Sequence, residues 1–280
     1  MKITRDKICL YTPTAPNDKS MRTTVLKAAE LGVGGVELMN FCDELRTPDM
    51  EQAKSLYTLI KSHGLKIPCF SVAADILSDP KGACDKIKAY TDICSALEIP
   101  LLHHTVAVDF TVWDIDDDER ARRFDFCKDY AISLSDYAKS RGVTTVIEDQ
   151  GFVFNGVKNC EKLCSLSGDN IGIVADTGNI MFYDERCADF IRAMDKRVLH
   201  AHVKDYYLTQ NPTEQKCYRT RLSNYLTDAP LGEGQADIDE CMRAFCDIGY
   251  GGMYSLEISS GIKGCSVEQM IKYLEGENNV

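Results

Sequence analysis

"VLHAHVKD", residues 198–205, alternates small or apolar residues with two of the chain's five histidines, His200 and His202. Alternation is the period of a β-strand, in which side chains two apart share a face, so both imidazoles are expected on one side. Stretches that read as strands recur along the chain: "ICLYT" (8–12), "GGVELM" (34–39), "IPCFSV" (67–72), "IPLLHHTV" (99–106), "TTVIED" (144–149), "IGIVADTG" (171–178) and "MYSLEIS" (253–259). Helix-like runs separate them, at 21–31, 48–63, 82–97, 157–165, 187–196 and 266–275. A longer run opens on the acid-rich "WDIDDDE" (113–119) and reaches residue 140, its carboxylates suited to the positive end of a helix dipole. Another begins at Asp237, with Glu240 three residues on as in a capping box. Strands that alternate with helices form parallel sheets, and eight such units close into a barrel. The expected fold is therefore α/β, a single (β/α)8 TIM barrel over residues 1–280. An open doubly wound sheet is disfavoured because no G-x-G-x-x-G follows the first strand.

Composition agrees with a globular barrel. A length of 280 residues is common for this architecture, and 44% apolar residues suffice for a large core. No stretch approaches the length of a membrane span, and "MKITRDKICLYTP" lacks the apolar run of a signal peptide; a soluble, cytoplasmic protein is expected, with no membrane partner. The thirteen cysteines are odd in number, scattered, and never spaced C-x-x-C, which points to reduced and mostly buried thiols. A net charge of −11 repels a phosphate backbone and argues against nucleic acid as a partner.

In such barrels chemistry gathers at the C-terminal ends of the strands. The fifth strand ends in Glu148, the sixth in Asp176, the seventh carries His202 near its end, and the eighth carries Glu257. Each lies among apolar residues, where an unpaired carboxylate would cost several kcal/mol to desolvate. Three carboxylates and an imidazole converging on one mouth suit a divalent ion, Mn²⁺, Mg²⁺, Co²⁺ or Zn²⁺. The competing reading for Glu148 and Glu257 is a buried ion pair with Lys or Arg, for Asp176 the acceptance of backbone N–H bonds at a turn, and for His202 a satisfied core histidine. His200, two residues deeper than His202, is expected inside the barrel or bracing a ligand. Glu37, ending the second strand, would either bind a substrate hydroxyl or form an ion pair. Of His103 and His104, which face opposite ways, His104 is preferred as the one near the mouth. "LGEG" (231–234) reads as a tight connection.

The ordered set "GVGGVEL", "VIED", "ADTGN", "HVKD", "LGEG" and "SLEIS" resembles the sugar phosphate isomerase/epimerase family. That family belongs to the xylose-isomerase-like TIM barrels, which also include AP-endonuclease-type enzymes. The resemblance runs over about residues 8–275. It implies a metal held by Glu148, Asp176, His202 and Glu257, with Glu148 and Glu257 doubling as the acid/base pair of ketose epimerases. Lys204 and Asp205 match a pair often found near the substrate, with salt bridging between strands as the alternative reading. One departure stands out: the sixth strand of the family commonly reads D-x-x-H, whereas here it is Asp176-Thr-Gly-Asn179. Asn179 can hydrogen-bond a substrate hydroxyl but cannot move a proton near neutral pH. The three-zinc, histidine-rich site of the DNA-cleaving branch is not matched.

Epimerising or isomerising a ketose requires removing a proton from the carbon beside a carbonyl. A divalent ion stabilises the resulting enediolate, and one carboxylate on each face of the sugar takes or returns a proton. The expected function is thus a metal-dependent isomerase or epimerase of a small sugar or keto-polyol, phosphorylated or not. The alternatives are a lyase of the inosose-dehydratase type, in which the same machinery expels a β-hydroxyl, and a non-catalytic sugar-binding barrel. Residues 206–230 show no clear periodicity and read as a long loop, a lid or a contact in a homo-oligomer, whose basic residues could meet an anionic substrate. "SSGIKG" (259–264) has the small residues and N–H groups of a phosphate-binding loop.

Overall fold

The computed structural model of the chain describes residues 2–11, 19–107, 114–257 and 266–276. Among these residues nine parallel strands form one sheet: β1 (Ile8–Leu10), β2 (Gly35–Val36), β3 (Leu38–Met39), β4 (Cys69–Val72), β5 (Leu101–His104), β6 (Thr144–Glu148), β7 (Ile171–Asp176), β8 (Val198–Val203) and, after three strands of a smaller sheet, β12 (Tyr254–Leu256). Their order is β2-β1-β12-β8-β7-β6-β5-β4-β3. Only Glu37 separates β2 from β3, so the two ends of this sheet are halves of one stave. The first half pairs with β1, Val36 against Leu10; the second pairs with β4, Leu38 against Phe70. The ring therefore closes as an eight-stave barrel, the expected fold.

Among the described residues eight α-helices wrap it: α1 (Met21–Leu31), α2 (Met50–Ser62), α3 (Pro80–Ala96), α4 (Asp117–Ser140), α5 (Val157–Ser167), α6 (Cys187–Met194), α7 (Ile238–Asp247) and α8 (Val267–Leu274). Local chemistry sets their bounds. Asp116 accepts from Glu119 N at 2.7 Å to start α4, with Asp117, Asp118 and Glu119 in its first turn. The start of α3 lies two residues before the expected one, because Asp79 caps it and Pro80 fits its first position. Asp237 caps α7, and Ser266 with Gln269 makes a full capping box on α8. α1 buries Met21, Thr24, Val25 and Ala28, the i, i+3, i+4, i+7 stripe of an amphipathic helix. None of the described helices is long and apolar enough to cross a membrane.

Most of the described cysteines are buried. The main core lies between strands and helices, while a small apolar plug of Cys69, Val146 and Val174, with Leu101 against it, is separate from it. Two residues further along the same strands come Ser71, His103, Glu148 and Asp176, all buried. Period-two alternation thus stacks a polar layer directly on an apolar one.

The stretch expected to be a long loop is instead folded. β9 (Asp205–Thr209), β10 (Tyr218–Arg219) and β11 (Tyr225–Ala229) form an antiparallel sheet of order β10-β11-β9, with Asp205 opposite Ala229 and Tyr225 opposite Arg219. Tyrosines and β-branched residues favour such strands, but strands of two to five residues are too short for periodicity to show. Phe182, Tyr206 and Tyr218 pack as a trio, with ring centroids 5.6–6.4 Å apart, and fix this sheet to the barrel. Asp205 anchors its base by accepting from the N–H groups of Tyr206, Gly232, Gly234 and Ala236 at 2.8–3.1 Å. Asp205 and "LGEG" therefore make a structural turn. The proposed phosphate loop, 259–264, lies outside the described residues.

Candidate active site

Glu148 ends β6, Asp176 ends β7, His202 lies on β8 and Glu257 follows β12. Asp176 and His202 are side-by-side partners in register, and His202 pairs with Ser255, two residues before Glu257. Consequently the four side chains converge, with one ligand atom from each within 4.8 Å of all the others. His202 Nδ1 is 2.8 Å from Glu148 Oε1 and 3.5 Å from Glu257 Oε2. Asp176 Oδ1 accepts from Gly178 N and Asn179 N, both at 2.7 Å. Its second oxygen is buried with no hydrogen bond among the described residues.

Lys204 enters the same space. Its Nζ is 2.7 Å from Glu257 Oε2 and 3.4 Å from Asp176 Oδ2. The ion-pair reading of the sequence therefore holds in part: one ammonium sits among three carboxylates. With His202 unprotonated the ionised cluster would keep two formal negative charges, and that charge with the mixed oxygen and nitrogen donors fits a divalent cation. Electrostatics follow the geometry. Burial, with Glu148 and Glu257 adding to it against Lys204, pushes the Asp176 carboxyl up to about 7. Burial also opposes ionisation of Glu257, but Lys204 and His202 overcome it and hold that carboxyl down to about 2. Burial disfavours a charged His202, yet Glu37 and Glu148 outweigh it and raise its affinity for a proton well above the ordinary value.

Above these groups opens a cavity of about 840 Å³. Asn179, Lys204 and Glu257 line it, together with Tyr11, Phe41 and His103, and the small sheet supplies its outer wall through Tyr218, Arg219 and Tyr225. The Asn179 side-chain amide is buried, and neither its oxygen nor its nitrogen has a hydrogen-bond partner among the described residues. Gly178 is required beside it, since a Cβ there would meet the Tyr206 ring at 2.8 Å and the Lys204 stem at 3.0 Å.

Two sequence expectations are corrected. His104 points away from the cavity. It is fully buried, its Nδ1 lies 3.3 Å from Thr105 O, and desolvation lowers its pKa to about 4; His103 is the one that faces the mouth. The phase of a four-residue strand with apolar neighbours on both faces is not readable from sequence. For Glu37 the substrate-hydroxyl reading gives way to the ion-pair one, since it does not line the cavity and pairs with His200 and His202. It is completely buried, and it takes His200 Nε2 at 2.7 Å, His202 Nε2 at 3.2 Å and Ser71 Oγ at 2.5 Å. His200 thus braces Glu37, which in turn braces His202, a contact between residues 165 apart that no local pattern reveals.

Three comparisons bear on this arrangement. A model of the xylose isomerase-like TIM barrel family matches residues 25–275. No curated protein matches the sequence. Among solved structures, the chain is similar to the 3-keto-D-glucoside 4-epimerase YcjR from E. coli in its apo form, at 13% identity and a TM-score of 0.72, covering 96% of this chain and 99% of that one. It is also similar to the IolI protein with a bound zinc atom, at 18% identity and a TM-score of 0.72, covering 97% and 95%. D-psicose 3-epimerase with D-tagatose, from Clostridium cellulolyticum H10, matches at 14% identity and a TM-score of 0.68, covering 97% and 96%. At such identities the likeness is one of fold.

Proposed function

Because the chain belongs to the xylose isomerase-like TIM barrel family, we propose that it is a divalent-metal-dependent isomerase or epimerase of a small sugar or keto-polyol. The observation that carries this reading is the meeting of Glu148, Asp176, His202 and Glu257 within 4.8 Å, with Glu257 also lining a cavity of about 840 Å³. These four residues would hold Mn²⁺, Mg²⁺, Co²⁺ or Zn²⁺, which when bound would polarise a substrate carbonyl and make the adjacent C–H more acidic. The sugar epimerases and the zinc-bound IolI protein among the fold relatives lend support to the class of reaction and to the use of an ion.

The chain's own residues then do the rest. Glu148 and Glu257 come from staves three apart in the ring, and both carboxylates stand against His202 Nδ1. One takes a proton from the carbon beside the carbonyl; the other delivers a proton to the opposite face or to the neighbouring carbon. Lys204 keeps Glu257 ionised in the resting site, so this carboxylate is ready to accept once the ammonium turns toward a substrate oxygen. Asn179 offers a donor and an acceptor to a hydroxyl. The aromatic wall of Tyr11, Tyr206 and Tyr218 limits entry of water and keeps the carbanion from indiscriminate protonation.

Incubating the Mn²⁺-loaded protein in D₂O with a panel of ketoses and keto-polyols tests the reading by mass spectrometry. Gain of one deuterium at a carbon beside the carbonyl is expected. Loss of water would replace the reading with a lyase, and absence of both across the panel would leave a binding protein.

A further inference from the structure

The polar layer of the barrel holds a run of polar contacts that ends on an atom with no hydrogen-bond partner among the described residues. Glu148 Oε1 meets His202 Nδ1 at 2.8 Å, and His202 Nε2 meets Glu37 at 3.2 Å. Glu37 Oε1 meets Ser71 Oγ at 2.5 Å, and Ser71 Oγ meets His103 Nδ1 at 2.8 Å. The run stops at His103 Nε2, which is buried, faces the cavity, and lies 3.8 Å from Glu148 Oε2, beyond hydrogen-bond reach.

Proton counting assigns the donors. Two imidazole nitrogens lie against Glu37, His200 Nε2 at 2.7 Å and His202 Nε2 at 3.2 Å, and a carboxylate only accepts. The single hydroxyl proton of Ser71 therefore goes to Glu37, and the Ser71 oxygen is left to accept. Its partner, His103 Nδ1, must donate. From this we infer that His103 presents an unprotonated Nε2 to the cavity as the acceptor for a substrate hydroxyl beside Glu148, in a tautomer set by Ser71 and Glu37. Two acceptors 3.8 Å apart with no proton between them repel, and a hydroxyl that donates to one of them relieves the conflict. A polyhydroxylated ligand supplies such a group; an apolar one does not. The substrate contact rests on the function proposed above, whereas the tautomer does not.

¹⁵N-edited NMR of the histidines in the metal-free and Zn²⁺-loaded protein reads the tautomer directly. A protonated Nδ1 and a bare Nε2 are expected on His103 in the wild type. Ser71→Ala removes the acceptor and should move the proton toward Nε2 without changing the His202 pattern. A wild-type His103 protonated on Nε2, alone or as the imidazolium, overturns the inference even if the variant fails to fold. So does a folded Ser71→Ala protein with an unchanged His103 signal. For a ketose that exchanges deuterium, His103→Leu should raise KM about tenfold with kcat within about threefold, the signature of a lost uniform binding contact. An unchanged KM overturns the hydroxyl contact. If no ketose exchanges, the proposed function fails, and the spectrum still decides where the proton sits.

Discussion

Lys204 Nζ stands 2.7 Å from Glu257 Oε2 and within reach of Asp176, so a side chain of this protein already occupies part of the field that would attract a divalent ion. Its ammonium both steadies the metal-free barrel and competes with metal. Lys204→Met should therefore destabilise the metal-free protein by about 3 kcal/mol, the scale for a buried charge stripped of its partner. Added Mn²⁺ should stabilise the variant more than the wild type. Urea midpoints measured with and without Mn²⁺ check this, and equal gains for both proteins would contradict it.

His202 holds a proton in the metal-free site because Glu37 and Glu148 flank it. A metal ligand must give that proton up. Binding of Mn²⁺ or Zn²⁺ near neutral pH should release roughly one proton per ion. Calorimetric titrations in two buffers of different ionisation enthalpy measure the number, and zero release would show that His202 is not a ligand.

Glu148→Gln and Glu257→Gln should each cut the rate of deuterium exchange by ~10²–10⁴-fold, the usual contribution of a general acid or base. Circular dichroism should show the fold intact in both. Near-normal exchange in either variant would remove that residue from the proton-transfer pair.

His104 titrates only in strong acid when folded, with its pKa down at about 4, because burial penalises the charged ring. The unfolded chain takes up the same proton near pH 6.5. Acid therefore draws the equilibrium toward the unfolded state between about pH 6.5 and pH 4, by up to ~1.4 kcal/mol per unit. Stability from this source is fully present above that window. His104→Leu should flatten the acid limb of the stability curve relative to the wild type; two parallel limbs would count against the buried, neutral ring.

Asp205 satisfies four backbone N–H groups at the root of the small sheet. Asp205→Ala should cost about 2–4 kcal/mol, since hydrogen bonds to a charged acceptor are the strong ones and the donors of the buried Tyr206 and Ala236 would lose their partner. Hydrogen exchange should rise first at residues 206 and 232–236. Protection unchanged there would mean the turn holds without it.

Much of the barrel was legible in the sequence. Alternation in residues 198–203 places His200 and His202 on one face, and strand-end carboxylates mark the C-terminal mouth. What escaped was set by contacts distant in the chain. The sheet of β9, β10 and β11 depends on aromatic packing against Phe182 more than on local period. The choice between His103 and His104 depends on the register of β5 with β4, where His103 lies beside Ser71. The task of Glu37 depends on two imidazoles 163 and 165 residues away.

Glu37 is also the residue at which the second stave changes partner, from β1 to β4. The seam of the cylinder and the bracket of its histidine are thus one side chain. A substitution that tightened or relaxed closure there would shift ion affinity in the same stroke. Durability and chemistry at this point cannot be tuned apart.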